Sequence, residues 1–193
     1  MSEQGKFTLG LIGFLSLVGA LLMFLWISTF QIPELLYPLM TASFFLVGGL
    51  ALSLTLSGLQ VTPFRLSNFL MSIVSMVLNV VVIMYVNQLV PMRFEMAVVS
   101  PRLMGVLVGV AEECFFRLFL CLTLYRFTGN ALIAIGVSSA TWATYHIARY
   151  GTGMNVWLII FLCGCVLGGT LLFTRSGDGS IFGHAVVNYI ALA

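Results

Sequence analysis

The sequence predicts an all-α fold, a polytopic transmembrane helical bundle of about six to seven membrane segments. Three observations carry that prediction. Hydrophobic residues make up 61% of the 193 and charged residues only 7%, with a mean hydropathy of +1.12, far from the composition of soluble globular domains. The apolar residues fall in long runs, each close to the ~20 residues that an upright helix needs to cross an ~30 Å hydrocarbon core. Short polar breaks separate the runs and leave little chain for a soluble domain. Residues 1–193 are therefore expected to form a single transmembrane domain, with three N-terminal membrane helices in 1–97 and a half richer in polar motifs in 98–193.

The first segment is expected from about Phe7 to Phe30, after a short polar start, Met1 to Lys6. Its apolar run is too long for a signal-peptide core and reads as a retained first helix. Gln31-Ile32-Pro33-Glu34 separates it from a second segment, about Leu36 to Leu59, which Thr62-Pro63 closes. The third, about Leu66 to Val90, carries Asn68, Asn79 and Asn87, side chains able to hydrogen-bond between helices in lipid. A short amphipathic connector beginning at Pro91 follows. The fourth has Ser100 as N-cap and Pro101 at its first helical position and runs to about Tyr125. Glu112 then lies about 16 Å from that start, near the bilayer middle for an upright helix. Gly129-Asn130 opens a fifth segment, about Ala131 to Ala148, and 149–153 read as a turn. The sixth, about Asn155 to Thr174, has a small-residue face in Gly164, Gly168 and Gly169, suited to close packing. After a loop at 175–180, the seventh, Ile181 to Ala193, is too short to span fully.

Eight basic and six acidic residues leave a net charge of +2, with no cluster able to track phosphates, so no nucleic-acid partner is expected. The lipid bilayer is the expected surrounding. Orientation does not follow from the charges: Lys6, Arg65, Arg126 and Arg175 would share one side, and Arg93, Arg102 and Arg149 the other. Cys114, Cys121, Cys163 and Cys165 all fall inside expected helices, where free thiols behave as small hydrophobes.

Against this background the few ionisable residues stand out, because charge at membrane depth is expensive and is usually functional. Both histidines, His146 and His184, lie in apolar stretches, as does the adjacent pair Glu112-Glu113, followed four residues on by Arg117. Glu113/Arg117, Trp142/His146 and His184/Asn188 are each i,i+4 pairs, which places both members on one helix face. Three helices thus aim polar groups at a shared interior. On an α-helix successive residues diverge by about 100°, so the two carboxylates are not expected to face the same partner. Glu113 and Arg117 have the favourable order for a helical ion pair, leaving Glu112 as the carboxylate open to general-base work.

Blander readings exist for each group. Glu112, Glu113 and Arg117 could be an ion-pair cluster fixing helix packing, His146 a satisfied interior residue, and His184 with Asn188 an interhelical hydrogen-bonding pair. No H-E-x-x-H zinc signature and no G-x-S-x-G nucleophile elbow occurs, and the spacing of Ser138-Ser139 suits packing. No cofactor is expected. A divalent metal held by Glu112, His146 and His184 is chemically open, though no spacing singles it out.

E-E-x-x-x-R at 112–117, an aromatic-x-x-x-His at 142–146 and H-x-x-x-N at 184–188, in that order on separate apolar segments, resemble the CAAX-protease and bacteriocin-processing (CPBP, or ABI) family. This is a family of intramembrane glutamate-type endopeptidases that includes the Ras-converting CAAX endopeptidase. The resemblance covers about residues 100 to 193. It implies that Glu112 activates the hydrolytic water, that His146 assists, and that Glu113 and Arg117 organise the site. It further implies that His184 and Asn188 form an oxyanion hole. The second motif commonly begins with Phe; here it has Trp142, expected to change only the wall of the site, so that Trp142→Phe would be tolerated.

The implied activity is cleavage of a membrane-tethered or lipidated peptide in a polar cavity between segments four, five and seven, in a bacterial or archaeal cell membrane. A prenylated C-terminal tail is one implied substrate; in bacteria such proteins also serve in peptide processing and bacteriocin self-immunity. The rival expectation is a non-catalytic membrane subunit or assembly and immunity factor of a larger membrane complex, docked through the small-residue face of segment six. A transporter using Glu112 as a proton relay is disfavoured, since paired broken helices and repeated halves are missing.

Overall fold

A computed structural model of the chain describes residues 2–29, 36–57, 66–89, 102–150 and 153–191. These form seven helical rods, and no strand occurs among the described residues. The rods are α1 (Glu3–Thr29), α2 (Leu36–Leu52) and α3 (Leu66–Leu89). Next comes a long rod made of α4 (Arg102–Glu112), a π-helical stretch Glu113–Cys121, and α5 (Leu122–Thr128). Then follow α6 (Ala131–Tyr150), α7 (Met154–Thr174) and α8 (Asp178–Ala191).

Local chemistry accounts for most boundaries. Asn130 caps α6, its Oδ1 accepting from the backbone N–H groups of Leu132 (2.9 Å) and Ile133 (3.2 Å). Gly129 ends α5 in the left-handed conformation at φ 64°, where glycine carries no Cβ penalty. α2 continues as a π-turn, Ser53–Ser57, in which Ser53 Oγ bonds back to the Leu50 carbonyl (2.9 Å) and Thr55 Oγ1 to that of Ala51 (3.0 Å). Such back-bonding competes with the i→i+4 ladder and loosens it.

Three sequence expectations are corrected. The polar start is itself helical, because Ser2 Oγ accepts from Gly5 N (3.2 Å) and Lys6 pairs with Glu3 (2.7 Å). Arg149 and Tyr150, expected in a turn, are helical, since α6 runs on to Tyr150; residues 151 and 152 lie outside the described residues. α8 begins at Asp178 rather than Ile181: the Ile181 N–H bonds to the Gly177 carbonyl (3.0 Å), and Asp178 sits in the first turn, where a carboxylate meets the positive end of the helix dipole. Ser100, Pro101 and the amphipathic connector at 91–100 lie outside the described residues.

The long rod runs through the centre. α1 packs on α2, α2 packs on α4 and the π-stretch, α6 on α7, and α8 on both α3 and α4. Every residue from Ala111 to Leu118 is buried. Phe45 of α2 stacks on Phe115 (centroids 4.9 Å) and meets Phe116 edge-on (5.4 Å), joining an apolar core that includes Trp142, Ile159 and Leu167. Helix α2 can come this close because Gly49 lies against the π-stretch, where a Cβ would fall 2.6 Å from the Cys114 carbonyl carbon and the Phe115 nitrogen.

The small-residue face of α7 turns inward, which removes most of it as a docking surface. A Cβ on Gly164 would lie 2.9 Å from Ser139 Cβ, and one on Gly168 would touch Ile135; only Gly169 faces open space. Asn79 of α3 differs from expectation, as its Nδ2 donates within its own helix to the Ser75 carbonyl (2.9 Å), while Asn68 is buried. The side chain of Asn87 lies outside the described residues. All four cysteines are free thiols, three of them buried. Large apolar side chains such as Phe7, Leu103, Leu132 and Phe173 stand exposed on outer faces. Among the described residues, two helices are long and apolar enough to cross a membrane, at Asn68–Tyr85 and Met154–Thr174.

The close approach at Gly49 generates a prediction whose sign is set by backbone, not by helix propensity. Gly49→Ala should lower thermal stability in detergent by about 1–3 kcal/mol through overpacking, outweighing the ~1 kcal/mol that alanine contributes in a helix interior. Gly169→Ala, with no atom within 4 Å of its new Cβ, should leave the unfolding midpoint unchanged or raise it.

Candidate active site

The residues singled out by their chemistry come from three rods. Glu112 is the last residue of α4, and Glu113 and Arg117 lie in the π-stretch. Trp142 and His146 lie in the second half of α6, and His184 and Asn188 in α8. Glu112, Glu113, Arg117, Trp142, His146 and His184 are each less than a tenth exposed.

Glu112 is the meeting point. Its Oε2 accepts a hydrogen bond from the indole Nε1–H of Trp142 at 2.8 Å. The same oxygen lies 3.7 Å from Nε2 of His146 and 3.9 Å from Nε2 of His184. Those separations are longer than a direct hydrogen bond.

Each imidazole is oriented from its other nitrogen. His146 Nδ1 lies 2.9 Å from the Trp142 carbonyl, and His184 Nδ1 lies 2.9 Å from Glu113 Oε1. A carbonyl or carboxylate oxygen only accepts, so both Nδ1 atoms carry hydrogen and both Nε2 atoms turn toward Glu112. In this arrangement Nε2 donates only when the ring carries a second proton.

The expectation that the two carboxylates address different partners is corrected, because His184 meets both, Glu113 through Nδ1 and Glu112 through Nε2. Two features make this possible. A five-membered ring presents nitrogens on two edges, and the π-stretch starting at Glu113 widens the turn, so that the α-helical divergence no longer applies.

The expected ion pair between Glu113 and Arg117 is present, with Nε 3.4 Å from Oε2 and both side chains fully buried. It is a Coulombic pair more than an aligned hydrogen bond, since Arg117 nitrogens and Glu113 Oε2 meet no hydrogen-bond partner. The guanidinium instead lies over the Trp142 ring, 4.2 Å from its centroid, where the ring face attracts a cation. Trp142 also presents its ring to His146 and His184 in T-shaped contacts at 5.0 and 5.1 Å. The expectation that Trp142 matters only as wall material therefore needs revision: its N–H is bonded to Glu112.

Asn188 stands one turn beyond His184, and its Nδ2 donates to the Gly105 carbonyl of α4 at 3.0 Å. One N–H of the amide is thus committed to packing α8 on α4. Gly109 was missed in the sequence reading. A Cβ there would fall 3.0 Å from Asn188 Nδ2, so the missing side chain makes room for that amide, while His184 Cδ2 at 3.5 Å would be in ordinary contact. Its signal is positional, a glycine four residues before Glu113 inside a helix, where it costs about 1 kcal/mol against alanine. Among the described residues, no group of three His, Cys, Asp or Glu side chains is placed to hold a metal ion.

Comparison with known proteins identifies a family. A sequence model described as type II CAAX prenyl endopeptidase Rce1-like matches residues 94–190, half of the chain, and its span includes all the residues above. The sporulation-killing factor biosynthesis protein SkfC of Bacillus subtilis (strain 168) is 36% identical over 75 residues, 38% of this chain. The match spans only 15% of that relative's length. No solved structure matches. With a match over half its length and the three motifs gathered at one buried carboxylate, the chain belongs to the Rce1-like family of type II CAAX prenyl endopeptidases, a family of proteases.

Proposed function

We propose that this chain is an intramembrane endopeptidase of the glutamate type, a bundle of about six to seven membrane segments. The observation that carries the reading is the approach of two imidazole Nε2 atoms, at 3.7 and 3.9 Å, to one oxygen of a buried carboxylate within an apolar bundle. Water held between Glu112 and His146 gives a proton to Glu112 as its oxygen attacks the scissile carbonyl carbon. The resulting oxyanion accepts hydrogen bonds from His184, in its doubly protonated form, and from the second N–H of Asn188. Collapse of the intermediate breaks the C–N bond, and the proton from water passes to the leaving amine. Glu113 and Arg117 act one layer out, Glu113 by orienting His184.

The reaction as written needs no metal or other cofactor. The substrate is a peptide or protein tethered to the lipid bilayer, and the site of action is a bacterial or archaeal cell membrane. The relative named for biosynthesis of a sporulation-killing factor supports processing during the making of such a product, beside the prenylated tail that the family description suggests. No nucleic acid takes part. A non-catalytic role in a larger membrane complex is the second outcome of the test below.

Wild type and Glu112→Gln are purified from native membranes, and the terminal peptides of co-purifying proteins are compared by mass spectrometry. A partner terminus shortened only with wild type is the expected result. The same partner, unprocessed and stoichiometric with both forms, would make this chain a structural subunit.

Four variants sharpen the reading. Glu112→Ala and His146→Ala should each lower cleavage by about 10²–10⁴-fold, the range of general acid–base catalysis, with the helical circular dichroism retained; full activity of Glu112→Ala sinks the mechanism. Glu113→Gln strands the buried Arg117 charge and should cost about 3–5 kcal/mol, read as a lower unfolding midpoint in detergent. Gly109→Ala should lower cleavage while the fold persists, by pushing the Asn188 amide away from α4.

A further inference from the structure

We infer that Trp142 is a positioning residue, its indole N–H fixing the Glu112 carboxylate between the two imidazoles. For its catalytic consequence this inference rests on the protease reading above. Its structural core does not.

The indole N–H donates directly to Glu112, at 2.8 Å and buried. It joins α6 to the end of α4, thirty positions away in sequence. A neutral N–H donated to a carboxylate is among the shorter and stronger kinds of hydrogen bond, and directional enough to select a rotamer. Oε2 is held where both Nε2 atoms approach it within 4 Å.

The indole is itself held on several sides. The Arg117 guanidinium covers one face at 4.2 Å. Gly164 of α7 makes room for the ring, since a Cβ there would lie 3.1 Å from Trp142 Cε3. The two imidazoles flank it in T-shaped contacts. A residue seated this way brings its N–H to Glu112 with little freedom to swing off.

Trp142 thereby acts at two atoms. Its backbone carbonyl orients His146 at 2.9 Å, which any residue at this position would do. Its side chain orients Glu112, which Phe has no donor to do. Trp142→Phe separates the two effects: it keeps the hold on His146 and an aromatic wall while deleting the hold on Glu112.

The test uses the full chain in detergent micelles with ¹⁵N-labelled tryptophan, which gives indole N–H resonances from Trp26, Trp142 and Trp157. The Trp142 resonance is assigned by its loss in Trp142→Phe, or by elimination with Trp26→Phe and Trp157→Phe. The expected result is a downfield Trp142 proton that moves upfield in Glu112→Ala and stays in place in Glu3→Ala. In cleavage of the partner found above, Trp142→Phe should lower kcat by about tenfold with KM unchanged, as expected for a misplaced catalytic group. A Trp142 resonance indifferent to Glu112→Ala overturns the inference, and so does an unchanged kcat in Trp142→Phe. If wild type cleaves no partner, the protease reading fails, and the movement or fixity of the indole resonance still decides whether Trp142 holds Glu112.

Discussion

A carboxylate withdrawn from water must be met by donors, and this chain buries two in succession. Glu112 is 3% exposed and Glu113 fully buried, in surroundings where an unpaired charge would cost several kcal/mol. The donors come from other helices: the Trp142 indole from α6 and the His184 imidazole from α8, with Arg117 one turn along the same rod. The need to satisfy these oxygens gives α6 and α8 a specific register against the central rod, which apolar packing alone would leave loose.

That arrangement depends on close approach of backbones, and small residues supply it. Gly49 lets α2 lie against the π-stretch, Gly109 leaves room for the Asn188 amide, and Gly164 makes space for the indole. The π-stretch contributes in another way. By widening the turn at Glu113 it allows adjacent carboxylates to serve one imidazole from its two nitrogens. Wide-turn helices cost hydrogen-bond geometry and recur at functional sites, and here the wide turn begins at the second carboxylate.

The site is layered around a single oxygen. Closest to Glu112 Oε2 is the indole N–H, then the two Nε2 atoms, and behind these the groups that orient them, the Trp142 carbonyl and Glu113. Arg117 balances Glu113 and covers the indole. Such supporting contacts narrow the rotamers open to the groups nearest the chemistry, which is how a buried site holds its geometry without solvent.

Much was legible before any coordinates. Long apolar runs marked the helices to within a few residues, because a helix satisfies its own backbone and needs no distant partner to be recognised. The i,i+4 pairs marked which ionisable residues share a face, since helical periodicity is local, and three such faces pointed to one interior. The π-stretch was invisible, for its sequence has α-helical periodicity. Gly109 and Gly164 were unremarkable until the atoms that crowd them were in place, and α7's glycine face could not be told inward from outward by spacing. The role of Trp142 was likewise hidden: composition identified an aromatic residue, but whether its N–H meets a carboxylate thirty positions earlier is a fact of two helices crossing. The sequence by itself determined the helices and which ionisable residues stand out within them, because both rest on local periodicity and on the scarcity of charge. Only the tertiary structure decided which nitrogen faces which oxygen, because hydrogen bonds between helices depend on crossing geometry that no local pattern encodes.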